Sequence, residues 1–102
     1  MLQSLAGLRF TVPNKNYEIF QDMDVVVKVN EQYLSVRVEP VDSIKEFISG
    51  KEEKVQATFY TLTDKPAYEA LLSDIPVDGK VVMCEGKKIV GILTFGEFKY
   101  VA

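Results

Sequence analysis

The side chains able to do chemistry are fifteen carboxylates, twelve lysines and arginines and one cysteine, with no histidine. Without histidine, a hydroxyl or thiol nucleophile lacks its usual partner, and the commonest general base near neutral pH is missing. One cysteine without histidine cannot assemble a zinc or iron site. Neither GxxxxGK[ST] nor GxGxxG occurs, so no phosphate-binding loop is recognised. Any catalysis is confined to carboxylate or lysine chemistry. Asp22 and Asp24 share a face if their segment is extended, but a hard cation needs more oxygen ligands than two carboxylates supply. They are read as solvated, as is Glu52-Glu53. Cys84 ends the apolar run Val81-Val82-Met83-Cys84, with Lys87 and Lys88 just beyond a turn. A reactive thiol needs a basic, partly exposed setting, whereas an apolar strand predicts a packing residue. No catalytic residue, metal or cofactor is assigned.

Two groups of residues could bind instead. Lys28, Tyr33, Ser35 and Arg37 fall on the polar side of an alternating pattern, and tyrosine and arginine are enriched at protein contacts. A plain solvent face is the competing reading. In Phe95-Gly96-Glu97-Phe98-Lys99-Tyr100, the rings of Phe98 and Tyr100 lie on one side and Lys99 on the other. Beside Lys87, Lys88 and Lys99 these rings could stack bases, although such spacing more often serves a core or a subunit interface.

Composition narrows the class further. The 102 residues are 47% hydrophobic and 26% charged, which fits one globular domain over 1–102 with its own core. The net charge of −3 disfavours nucleic acid as the partner of the whole surface, because phosphate contacts call for a basic protein. A lone cysteine cannot form an internal disulfide. The first residues lack the basic and apolar regions of a leader, and the apolar runs are too short to span a bilayer. The expectation is a cytoplasmic protein that does not enter a membrane.

The elements that must position these residues follow from periodicity. Val25, Val27 and Val29, then Leu34, Val36 and Val38, alternate with outward residues on either side of Asn30-Glu31-Gln32. That pattern predicts a β-hairpin with one aliphatic face. Residues 8–12 read as a short strand ended by Pro13-Asn14-Lys15-Asn16, while 17–23 is open between strand and irregular chain. Ser43 and Glu46 have capping-box spacing, Ile44, Phe47 and Ile48 form a stripe, and Gly50 suits a helix end, so a first helix is predicted there. Residues 55–62 read as a strand. A second helix should open near Asp64-Lys65-Pro66 and carry Tyr68, Leu71, Leu72 and Ile75 inward. Residues 80–84 and 88–95 flank Glu85-Gly86-Lys87 as a second hairpin, apolar on both faces and so expected to be covered on both. Gly96 invites a bulge before a last strand at 97–101.

The stretch 63–98 loosely resembles half of a CBS (adenosyl-ligand-binding) domain, through Ala67-Tyr68-Glu69-Ala70-Leu71-Leu72 and the hairpin Glu85 to Thr94. The resemblance implies that Thr94 and an acid soon after it, here Glu97, would face the ribose. The family's acid is aspartate, its terminal helix is missing here, and its units work in pairs.

Together these readings predict an α+β domain: a mixed or antiparallel sheet of hairpins, open to curling into a barrel, with two short helices and no strand order fixed. The function expected is a non-catalytic interaction protein. It would self-associate as a homodimer through a sheet edge or face, or meet another protein, with Lys28, Tyr33, Arg37, Phe98, Lys99 and Tyr100 as the binding surface. A small-ligand or single-stranded nucleic-acid module is the alternative.

Overall fold

The computed structural model describes residues 1–21, 23–62 and 64–101. Alternation decides which side of each strand is buried. In β1 (Leu2–Phe10), Leu2, Ser4, Ala6, Leu8 and Phe10 point inward, and the residues between them face out. The strand starts earlier than the 8–12 segment expected and ends at Phe10, because in its first half polar Ser4 points inward and Leu5 outward, which breaks the apolar alternation. The first predicted hairpin forms as β3 (Asp24–Val29) and β4 (Gln32–Pro40), with Val25 opposite Val36 and Val27 opposite Leu34. Asn30, at φ 56, makes the left-handed step of its turn. Then come β6 (Glu53–Phe59), helix α1 (Lys65–Asp74), β7 (Lys80–Glu85) and β8 (Lys88–Tyr100).

These six long strands close into a barrel in the order β1-β6-β4-β3-β7-β8, every neighbouring pair antiparallel. Closure lets the inward residues fill one core: Leu8, Val27, Val36, Val55, Ala57 and Leu93 are fully buried. The residues Gly96 and Glu97 form the extra step of a bulge, since Ser4 pairs with Phe98 but Ala6 pairs with Phe95. Two short strands, β2 (Tyr17–Glu18) and β5 (Glu46–Phe47), pair with each other outside the barrel.

Each barrel end is plugged. α1 lies between the end of β6 and the start of β7 and buries Leu71. Near it Phe59, Phe95 and Phe98 form one aromatic group, and Tyr68 of the helix stacks on Tyr100. The helix starts where expected: Asp64 caps it by accepting from the Ala67 amide at 2.8 Å, and proline occupies its first turn. At the other end the β2–β5 pair brings Tyr17 and Phe47 against Phe10, with Phe47 only 1% exposed.

Two expectations need correction. Residues 43–50 do not form a helix. Only Phe47 of the proposed stripe is buried, Ile48 is exposed, and the segment crosses the barrel mouth as β5. The Ser49 hydroxyl and the Gly50 amide instead bond carbonyls at the end of β1, from Phe10 and Val12. A helix this short is marginal in isolation, and the aromatic plug decides the conformation. The fold therefore has one helix rather than two. The β7–β8 hairpin is not covered on both sides: its inner face is core, while outward Val82 and Ile92 are half-buried and Ile89 is exposed. Within the stretch resembling half a CBS domain, β7 and β8 are two staves of the barrel. β8 pairs with β7 over 88–94 and with β1 over 91–100, so the part expected as a last strand at 97–101 continues β8 and is paired on its β1 side. Among the described residues no helix is long and apolar enough to cross a membrane.

Candidate functional site

The predicted binding residues divide between two places. Lys28, Tyr33 and Arg37 lie together on the outer wall of β3 and β4. Across that hairpin the outward residues pair as Asp24 with Arg37, Val26 with Ser35, and Lys28 with Tyr33. The Lys28 ammonium lies 5.9 Å from the centre of the Tyr33 ring, and that ring is 53% exposed. Four residues along β4, the Arg37 guanidinium lies 4.7 Å from the centre of the Tyr60 ring. Arg37 Nε is enclosed and stands 3.5 Å from Asp24 Oδ1, near enough for an ion pair but not aligned as a hydrogen bond. The Tyr60 hydroxyl donates to the other Asp24 oxygen at 3.1 Å. Asp24 thus fixes both groups, and Arg37 is held against a ring with one edge unsatisfied.

Phe98, Lys99 and Tyr100 lie elsewhere, beside α1. Phe98 is half-buried, with ring centroids 5.2 Å from Phe95 and 6.4 Å from Phe59. The rings of Tyr100 and Tyr68 stack at 4.9 Å. Both rings are engaged within the molecule, as an aromatic seam for the helix. Lys99 faces out opposite Gln3, whose side-chain amide donates to the Thr58 hydroxyl at 3.4 Å. Because Thr58 is opposite Arg37, an outward row of Arg37, Thr58, Gln3 and Lys99 joins the two places.

The remaining candidates for chemistry are placed as follows. Asp22 lies outside the described residues. Asp24 is engaged by Arg37 and Tyr60 rather than by a second acid. Among the described residues no three of His, Cys, Asp and Glu gather as metal ligands would. Cys84 is buried and free. Thr94 and Glu97 are both on β8, Thr94 before the bulge and Glu97 within it.

Sequence reasoning missed two features. Tyr60 lies within the strand predicted at 55–62, in outward phase with Gln56 and Thr58, but its meeting with Arg37 needs the β4–β6 neighbourhood, which periodicity does not reveal. The second is a cleft of about 310 Å³ at the barrel mouth, between the plug and the rims of β3 and β7. Phe10, Tyr17, Met83 and Val90 line it, with Asp24 and Glu85 as its charged groups. Its residues come from five separate segments, so no single stretch of sequence marks it.

Comparison of the chain with protein-family models gives no match, and comparison with curated proteins gives none either.

Proposed function

We propose that the chain is a non-catalytic interaction module that self-associates face to face through the outer wall of β3 and β4. The observation that carries this reading is the order of charge and ring along that wall. Asp24 and Arg37 occupy one end, Lys28 and Tyr33 the other, and the small Val26–Ser35 pair lies between. A two-fold axis running across the strands over Val26 and Ser35 would place Lys28 against the partner's Asp24. It would equally place the Tyr33 ring against the partner's Arg37. Each contact occurs twice, as an isologous interface requires. Opposite charges and a cation on a ring are both favourable there. Tyrosine and arginine are also the side chains that supply most energy at such contacts. The patch spans only two strands, so micromolar association is expected.

The test is sedimentation equilibrium on the protein and two charge variants. Lys28→Asp sets acid against acid across the axis, and Asp24→Lys sets base against base, so each variant alone should be monomeric. Mixed in equal amounts, the two should form a heterodimer, because every contact then joins opposite charges. A protein that stays monomeric at high micromolar concentration overturns the reading. So does a dimer that Lys28→Asp leaves intact.

A further inference from the structure

We propose that the cleft at the barrel mouth binds a small organic amine, with its apolar body between the plug and β7 and its ammonium where Lys15 now places its own. The volume of about 310 Å³ is at the lower end of the range for small-molecule sites, and barrel mouths commonly hold them. The floor is apolar, through Phe10, Met83 and Val90, and the charged side chains lining the cleft, Asp24 and Glu85, are both acids. A carboxylate ligand would therefore meet like charge.

The chain's own cation shows what the site accepts. The Lys15 ammonium lies 4.8 Å from the centre of the Tyr17 ring and 3.9 Å from Glu85 Oε2. It thus lies between a π face and a carboxylate, a setting that suits a desolvated ammonium. Its hold is loose. The side chains of Lys15 and Glu85 are 51% and 67% exposed, and their separation is at the limit of an ion pair. The Tyr17 ring is firmly placed, because its other face lies on Phe10 at 3.7 Å. Its hydroxyl is enclosed and has no hydrogen-bond partner among the described residues. Asp24 is engaged by Arg37 and Tyr60, so Glu85 is the acid free to change partner. Lys15 acts as a tethered competitor that such a ligand must displace.

The test is a titration of ¹⁵N-labelled protein with 2-phenylethylamine, with 3-phenylpropionate as a probe of similar shape and opposite charge. Amine-dependent shifts should centre on the amides of Tyr17, Val25, Cys84 and Glu85. Lys15→Gln removes the competitor and should tighten binding by roughly threefold, whereas Glu85→Gln should weaken it. Both positions are exposed, so both variants should fold. Tyr33→Ala, which alters the proposed dimer face, should leave the titration unchanged, so the two proposals can fail separately. Absence of saturable shifts, equal binding of the carboxylate, or an affinity indifferent to Lys15→Gln overturns the inference.

Discussion

Tyr68 of α1 and Tyr100 of β8 stack with ring centroids 4.9 Å apart and planes 23° from parallel. The pair matters because the helix has little else to hold it: Leu71 is its one buried residue. Stacked aromatic pairs add about 0.5–1.5 kcal/mol beyond the area they bury. Tyr68→Ala should therefore loosen the helix without unfolding the barrel. Hydrogen exchange is expected to quicken over 65–74 while the amides of β3 and β6 keep their protection. Equal acceleration in helix and barrel would show that the two unfold as one unit.

A second prediction concerns the first hairpin. Val27 is wholly buried, so Val27→Asp places an unpaired charge in the core. This should unfold a domain whose total stability is on the order of 5–15 kcal/mol. Arg37→Ala removes a pair whose side chains are more than a third exposed. Its effect on folding should stay within about 1 kcal/mol. Urea melts at low micromolar concentration make the comparison, and equal effects would mean the register is wrong.

Gly79 and Gly86 both have positive φ, 73° and 63°, but their surroundings differ. A methyl group on Gly79 would run into the Phe95 carbonyl, whereas at Gly86 it would meet nothing within 4 Å. Gly86→Ala should cost only the left-handed conformation, about 1–2 kcal/mol. Gly79→Ala should cost more, since the same strand also relies on the hydrogen bond from the Phe95 amide to the Gly79 carbonyl, at 2.9 Å. Denaturant midpoints of the two variants test the order, which reverses if the turn before β7 can shift freely.

Cys84 is 7% exposed. A thiol reagent should label it slowly in the native protein and rapidly in denaturant. Fast native labelling would indicate that the barrel mouth opens far more often than its packing implies.

Legibility in the sequence followed the reach of each interaction. The β3–β4 hairpin could be read because its signal is local: six aliphatic residues alternate about a polar turn. The start of α1 was legible for the same reason, through Asp64 and Pro66. The 43–50 segment carried an equally tidy local signal for a helix and became β5, because Phe47 is claimed by Phe10 from another strand. Barrel closure was legible only as an option, since strand order depends on which edges meet. The wall residues Lys28, Tyr33 and Arg37 were found through alternation alone. Tyr60 and the mouth cleft were not, because their neighbours come from distant parts of the chain.

The staves that seal the barrel are β1 and β8, and their pairing joins Leu2 to Tyr100, residues separated by nearly the whole chain. Closing so long a loop gives up chain entropy before any contact rewards it. The β3–β4 and β7–β8 hairpins can form early, whereas the β1–β8 seam must come late. Folding on the millisecond-to-second scale typical of non-local β topologies is the result. Until the seam forms, β1 and β8 each have a bare edge, so aggregation during refolding should rise with concentration even though the finished barrel hides those edges.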